Sequence, residues 1–413
     1  MSEFKIITGR WAKQRSFLQD LFDFGIFDFM SQYFFHRLIS LVLLVLLLLI
    51  SSCSKDDPQP ENPIPKISLN TFLSSDSEEI QMDVTNEGSP PIITNINEEL
   101  GLDFLLFGRR DVHQNAVGFY FWQQQESRAY YKNLESGVSY EVNDICGFRG
   151  ETETPKVIRS VDGNENFVVM PYTYQSEGMS LEFGLRIFDR EFSQCRDVFF
   201  PEIVPAGVVN FSLAGKWFGL YYRDPGSGNP FLWIVDLSIG EVTDTINLNS
   251  DFQGATFRGN ELWIFNEDAS YLIFNVETGT FIQSGTAPGL PAQGPGMFDS
   301  RFSGNQLLVR FIYQQPSLFF AQPAVYDFDS GILVEGAEPF LPELQARIEL
   351  ETGDRILFGN YGVDLPTGII AISYIRGNGS AEGGVVLTNF ELDWFEILEL
   401  PLLPEEIEIR AVE

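Results

Sequence analysis

The sequence predicts an all-β fold built from repeated short strands, and three observations support this prediction. Residues that favour strands and turns are abundant, with 38 Phe, 36 Gly and 22 Pro in 413 residues. After Cys53, stretches with the 3.6-residue period of an amphipathic helix are missing except at Pro342–Ile348, which predicts about two helical turns. Two short sequence signatures also recur in alternation along the chain.

The first signature is a glycine, usually followed by a polar residue, and then an apolar run. Close copies are Gly163–Val169, Gly259–Phe265 and Gly304–Val309, whereas the copies that begin at Gly215, Gly353 and Gly101 are looser. Because Gly-Asn is a turn dipeptide, each copy predicts a hairpin tip that leads into a buried strand.

The second signature is a pair of apolar residues followed by Asp or Asn and a turn. Its close copies are Ile234-Val235-Asp236, Ile273-Phe274-Asn275 and Val325-Tyr326-Asp327. The segments Ile187-Phe188-Asp189 and Leu387-Thr388-Asn389 fit less well, and Tyr130-Tyr131-Lys132 is the first copy along the chain, with Lys in place of Asp or Asn. The two signatures alternate, and the first recurs on average every 50 residues or so, about the length of a four-stranded propeller blade.

Six alternating pairs predict a six-bladed β-propeller, with five or seven blades left open. An array of β-sandwiches or a β-solenoid is the alternative. The alternating segments Glu79–Thr85 and 406–411 are the candidate strands for closing the ring. The segment Val325–Gly331 resembles the strand-turn-strand of WD-repeat-like and YVTN-like propellers, and the resemblance covers roughly residues 97 to 400.

The N-terminal region predicts export. An apolar run, Leu38–Ile50, follows His36 and Arg37 and ends at Ser51-Ser52-Cys53, which is the order of a secretory signal. The run is short for a bilayer span. The junction resembles the lipobox of bacterial lipoproteins, which implies cleavage before Cys53 and a lipid such as palmitate on this residue. The alternative is a free cysteine after an uncleaved anchor.

The residues around the cysteine define the predicted domain order. Lys55-Asp56-Asp57 resembles the surface-export signal of Bacteroidota-type lipoproteins, which implies an outer-membrane protein exposed at the cell surface, with the periplasmic face as the alternative. We expect residues 1–29 to be a start-site artefact or disordered, 30–52 a lipoprotein signal peptide, 53–75 a flexible linker, and 76–413 the propeller.

Charge and composition restrict the chemistry. The net charge of −32 disfavours nucleic acid as a partner, because the surface repels phosphates. His113 is the only histidine after Cys53 and is predicted to lie in a polar loop. No metal-binding motif is present, so neither a metal nor another cofactor is predicted. Cys146 and Cys195 are predicted either to form a disulfide or to be two separately buried thiols.

These observations favour a binding or scaffold module for a protein or glycan partner, attached to the membrane through its lipid. The candidate binding surface comprises Arg223, Tyr313 and Arg376, from the long loops 223–230, 313–320 and 374–384. The alternative is a carboxylate-dependent glycoside hydrolase or lyase on the propeller, although no sequence motif marks a pair of carboxylates.

Overall fold

The computed structural model describes residues 65–74, 78–101, 108–113, 116–121, 126–133, 136–143, 156–159, 161–175, 181–200, 210–223, 228–248, 252–291, 300–377 and 383–411. They form an all-β propeller of antiparallel sheets with two helices. The sheets are numbered I to VII, and six of them are built from consecutive strands.

In these six sheets the first strand is innermost and the last is outermost. Sheet II contains β4 (Gly108–His113), β5 (Ala116–Phe121), β6 (Glu126–Lys132) and β7 (Ser139–Asn143). Sheet III contains β8 (Lys156–Ile158), β9 (Asp162–Gly163), β10 (Phe167–Gln175), β11 (Leu181–Asp189) and β12 (Gln194–Phe200), with β8 and β9 both paired to β10. Sheet IV contains β13 (Asn210–Ala214), β14 (Trp217–Arg223), β15 (Pro230–Asp236) and β16 (Glu241–Asn247).

The remaining consecutive sheets follow the same pattern. Sheet V contains β17 (Phe252–Arg258), β18 (Glu261–Asn266), β19 (Ser270–Asn275) and β20 (Thr280–Thr286). Sheet VI contains β21 (Arg301–Ser303), β22 (Gln306–Ile312), β23 (Ala321–Asp327) and β24 (Ile332–Glu335). Sheet VII contains β25 (Ile356–Asp364), β26 (Ile369–Arg376), β27 (Gly383–Asn389) and β28 (Phe395–Leu400).

Sheet I joins the two ends of the described chain. Its strand order is β29 (Pro404–Ala411), β1 (Ile67–Ser74), β2 (Glu79–Thr85) and β3 (Ile92–Asn95), so that β29 is innermost. The two predicted closing segments therefore share one sheet. They do not pair directly, because β1 lies between them.

The sheets form a closed ring. Inner strands of neighbouring sheets contact each other at β13–β17, β17–β21, β25–β29 and β29–β4. Buried apolar clusters join sheets II and III, III and IV, and VI and VII. The described residues thus form seven sheets, one more than the predicted six and within the range left open. The six copies of the second signature end the third strands of the six consecutive sheets, so the closing sheet, whose two inner strands come from distant parts of the sequence, is the one that these copies leave uncounted.

Both signatures have a local structural cause. Gly215, Gly259 and Gly304 connect the first and second strands of their sheets with φ between 56° and 59°, a backbone region that favours glycine. The Asp or Asn of the second signature ends the third strand and accepts hydrogen bonds from the following turn. Asn275 Oδ1, for example, accepts the N–H groups of Glu277 and Thr278, both at 3.0 Å.

Strand direction gives each sheet two distinct edges. Turns between the first and second strands and between the third and fourth strands leave from one edge, which we call the tip edge. Loops between the second and third strands, and the connections between sheets, leave from the opposite edge, which we call the loop edge. The candidate loops after Arg223, Tyr313 and Arg376 all connect a second strand to a third and therefore share the loop edge.

Apolar side chains from facing sheets bury one another. Between sheets III and IV, for example, Phe183, Leu185, Phe218 and Leu220 are fully buried in one cluster. Each such side chain stabilises the fold by about 1.5–3 kcal/mol relative to an exposed position.

Two helices lie in connections between sheets: α1 (Ile96–Glu99) and α2 (Leu341–Thr352). The predicted helical turns at Pro342–Ile348 are confirmed and are extended by α2, which ends at Gly353 with φ 75°. Neither helix in the described part of the chain has the length and apolar character needed to cross a bilayer.

Candidate functional site

The candidate site is a cavity of about 990 Å³ at the centre of the ring. It is lined mainly by the inner strands β13, β17, β21, β25 and β29, together with the loop that follows Tyr313. A cavity of this volume lies at the upper end of the range for small-molecule sites.

An ion-paired cluster lies in this cavity. Arg301 of sheet VI places Nη1 2.8 Å from Oε2 of Glu408 and Nη2 3.4 Å from Oε1 of Glu406. The two glutamates lie on β29 of sheet I, so the ion pairs bridge two sheets that are separated in the ring by sheet VII. All three side chains remain partly exposed and present both donors and acceptors to the cavity.

Asp162 of sheet III is a titratable side chain that interacts electrostatically with this cluster, although it does not line the cavity. It is fully buried, and its Oδ1 accepts the N–H of Gly163 at 2.7 Å. Burial raises the pKa of Asp162 well above its ordinary value, and the charge of Glu406 raises it further, whereas Gly163 and Arg301 oppose the rise. Asp162 is therefore electrostatically coupled to the ion-paired cluster.

Uncharged groups complete the lining. The Asn360 side chain donates to the carbonyl of Glu405 at 2.5 Å, and the Thr256 hydroxyl donates to the carbonyl of Ser300 at 2.6 Å. Within the described ranges, no three His, Cys, Asp or Glu side chains converge as a set of metal ligands.

The loop edge of the cavity carries exposed apolar side chains. Leu318 is 94% exposed and Phe320 is 70% exposed, and both line the cavity. Between them, Phe319 packs against Phe358 with ring centroids 6.1 Å apart. The exposed ring of Phe320 and the ion-paired cluster therefore both line the same cavity.

The three predicted surface residues have different environments. Tyr313 is only 7% exposed, its hydroxyl donates to Gln322, and the N–H of Leu341 donates to that hydroxyl at 3.3 Å. Its predicted exposed position is therefore wrong, because the ring turns into the core while Leu318 and Phe320 of the same loop face outward. Burial raises the pKa of Tyr313 to about 12.

The two arginines are on strands rather than in loops. Arg223 ends β14, and its side chain lies outside the described part of the chain. Arg376 ends β26 and is ion-paired with Glu399 and, at 3.4 Å, with Asp354. Arg376 therefore holds neighbouring strands in place as well as lying at the loop edge.

The cysteines and the histidine are only partly described. Cys53 and Cys146 lie outside the described residues, as do residues 224–227 of one candidate loop. Cys195 is exposed on β12 and is disulfide-bonded, while its pairing with Cys146 stays a prediction. His113 ends β4 rather than lying in a loop.

Sequence reasoning did not identify Arg301, Glu406, Glu408 or Asp162 as site residues. Glu406 and Glu408 did belong to a predicted closing strand, and their alternation placed both on one face of it. Nothing in the sequence marks Arg301 as their partner, because the pairing exists only once the ring is closed.

The chain was also compared with known proteins. No protein-family model and no curated protein matched it. Among solved structures, it is similar to a candidate 6-phosphogluconolactonase from Bacteroides fragilis, at 12% identity and a TM-score of 0.42 over 86% of this chain and 100% of the other.

Two further similar structures have comparable scores. AztD from Citrobacter koseri is 9% identical, with a TM-score of 0.41 over 84% of this chain and 98% of the other. The β-propeller domain of the Trilobed protease from Pyrococcus furiosus is 12% identical, with a TM-score of 0.36 over 59% and 71%. These similarities carry no conclusion about ligand or activity, and the propeller assignment rests on the sheet topology described above.

Proposed function

We propose that this chain is a lipid-anchored binding module of the outer membrane, and that its propeller binds a glycan at the loop-edge mouth of the central cavity. The observation that carries this proposal is the exposed ring of Phe320 beside a cavity that also contains Arg301, Glu406 and Glu408. Aromatic rings stack on the apolar faces of sugars, and charged side chains hydrogen-bond to sugar hydroxyls.

The position of β1 supports binding at the loop edge. Ile67 pairs with Ala411 at the end of an inner strand, which is the tip edge of sheet I. The first described strand therefore begins at the tip edge. The loop edge, with Leu318 and Phe320, is on the opposite side from the start of this strand, so a partner that binds there does not compete with the chain segment that precedes β1.

The alternative is a carboxylate-dependent glycoside hydrolase or lyase in the same cavity. Such enzymes use one carboxylic acid and one carboxylate that both reach the substrate. Here Glu406 and Glu408 are both engaged by Arg301, and Asp162 is fully buried. This arrangement favours binding over hydrolysis.

The test is affinity electrophoresis of the purified full chain through gels that contain neutral or acidic polysaccharides. We expect one of them to retard the protein, and Phe320→Ala to weaken that retardation by about tenfold, because the stacking surface is lost. Phe192→Ala is the matched control, since Phe192 is 59% exposed but lies in a turn at the tip edge.

Two results would contradict the proposal. Equal weakening by Phe320→Ala and Phe192→Ala would show that retardation does not depend on the cavity mouth. Release of reducing sugar from a polysaccharide, abolished by Glu406→Gln, would establish the enzyme instead.

A further inference from the structure

The outer edge of sheet V is unusual among the described sheets. Its outer strand, β20, has the sequence Thr-Phe-Ile-Gln-Ser-Gly-Thr and contains no charged residue and no proline. The outer strands of sheets II, III, IV, VI and VII each contain at least one charged residue, and β3 of sheet I is only four residues long. Charges and short length normally protect an edge strand from pairing with another chain, and β20 has neither protection.

The register between β19 and β20 determines which main-chain groups of β20 point away from β19. The N–H of Ala287 donates to the carbonyl of Ala269 at 2.7 Å, and Thr286 is opposite Ser270 in the next pair. Since hydrogen-bonded and non-hydrogen-bonded pairs alternate in antiparallel sheets, Ser284 and Thr286 direct their N–H and C=O groups away from β19. An added strand would find these groups in position.

A groove of about 420 Å³ runs beside β20, between sheets V and VI, and we call it the outer groove. Ile282 and Gln283 form part of its β20 wall. Its floor is aromatic, with the rings of Tyr271 and Phe328 each 5.0 Å from the ring of Trp263.

A glycine keeps this groove open. The ring of Tyr271 lies across Gly285, where an added Cβ would be 2.5 Å from Cζ of the tyrosine. The absence of a side chain at Gly285 therefore lets the tyrosine lie along the sheet and line the groove.

The charged groups of the outer groove are mainly acidic. Glu261 accepts the indole N–H of Trp263 at 3.1 Å, and Asp329 accepts the side-chain amide of Asn305 at 2.9 Å. The one cation in the described lining, Arg258, donates to Asn305 Oδ1 at 2.9 Å. The lining therefore has a net negative charge, in a chain whose net charge is −32.

We propose that the outer groove binds an extended peptide segment of a partner protein, which adds as a strand to the outer edge of β20. Main-chain hydrogen bonds to Ser284 and Thr286 hold the segment, an aromatic or large apolar side chain enters the groove, and flanking Lys or Arg residues meet Glu261 and Asp329. A second copy of this chain is a poorer occupant, because two copies with a net charge of −32 repel each other.

The probe is a fluorescein-labelled synthetic peptide that alternates lysine and tryptophan, and its anisotropy is measured with the purified full chain. We expect saturable binding that weakens as salt is added, and no binding of a peptide in which glutamate replaces lysine. Ser284→Pro removes one outward N–H without touching the ladder to β19, and we expect it to weaken binding by about tenfold. Ser284→Ala keeps that N–H and is the matched control.

Hydrogen exchange of the wild-type chain gives a second readout that does not depend on a variant folding. The amides of Ser284 and Thr286 should become protected when the lysine–tryptophan peptide is added. Unchanged exchange at these amides would overturn the proposal, and so would equal binding by the proline and alanine variants. A concentration-dependent dimer that Ser284→Pro abolishes would show that a second copy occupies this edge and would also overturn it. Because the outer groove is separate from the central cavity, Phe320→Ala should leave peptide binding unchanged.

Discussion

The guanidinium of Arg301 lies 2.8 Å from the carboxylate of Glu408, although 107 residues separate them in the sequence. The pair joins an inner strand of sheet VI to the inner strand that closes the ring. This ion pair in the central cavity therefore helps to hold β29 in place, in addition to the backbone pairing of β29 with β1.

The Arg301–Glu408 pair should contribute measurably to stability. We expect Arg301→Gln to lower the free energy of unfolding by about 1 kcal/mol, a modest amount because half of the arginine side chain is exposed and solvent screens the pair. A urea-unfolding double-mutant cycle with Glu408→Gln measures the coupling. Strict additivity of the two single changes would show that the ion pair contributes nothing.

Gly184 should not tolerate a side chain. It is opposite Tyr172, and an added Cβ would be 2.4 Å from Cζ of that buried ring. Gly184→Ala should therefore displace Tyr172, break its 3.0 Å hydrogen bond to Asp197, and lower the free energy of unfolding by about 1–3 kcal/mol. Thermal unfolding measures the loss. Gly219→Ala is the control, because its nearest neighbour would be at 3.4 Å, and an equal loss there would disprove the explanation.

Tyr313 should give stability a dependence on alkaline pH. The hydroxyl has a pKa of about 12 in the folded chain, against an ordinary value of 10.0. Folding raises the pKa of Tyr313. The stabilisation that comes from its protonated hydroxyl is therefore complete at pH values below the ordinary pKa and is lost as the pH rises through the pKa of the folded chain.

We expect Tyr313→Phe to destabilise the chain by about 1 kcal/mol at neutral pH, since it removes the hydroxyl that bonds to Gln322 and Leu341. The difference in unfolding free energy between the wild type and Tyr313→Phe should become smaller as the pH rises above 10. Urea unfolding at several pH values measures both effects, and a gap that widens in alkali would contradict the assignment.

Lipid attachment at Cys53 is testable independently of the propeller. Cys53→Ser should abolish incorporation of labelled palmitate and release the protein from the membrane fraction, because the predicted attachment atom is removed. Cys195→Ser is the control for cysteine replacement and should still incorporate label. Wild-type labelling of the Cys53→Ser protein would mean that the N-terminal cysteine is not the lipidation site.

The sequence predicted the repeated parts of the fold because each has a local cause. Asp236, Asn275 and Asp327 each end a third strand, as their signature predicted, since their side chains bond to the turn that follows. Gly101 and Gly353 belong to the same glycine series but follow helices rather than joining strands. A positive φ is common to both settings, so the sequence alone does not separate them.

The candidate site was less predictable, because it depends on contacts between distant strands. The loop 313–320 was predicted to belong to a binding surface, and in the structure its tyrosine is buried whereas its leucine and last phenylalanine are exposed. Aromatic residues are common both in cores and at interfaces, so the residue type alone does not predict which of these two environments Tyr313 has. The ion-paired cluster in the cavity comes from sheets I and VI, and only the closed ring brings its members together.

The pairing of β1 with β29 also determines when the molecule can reach its final form. The innermost strand of sheet I is formed by residues 404–411, so a ribosome must translate more than three hundred residues after β1 before its partner exists. Until then, the inner side of β1 is an unpaired edge that other nascent chains can reach. If the chain is exported as we propose and crosses the membrane unfolded, this delay is an advantage, since the ring cannot close and block passage before the last strand has crossed.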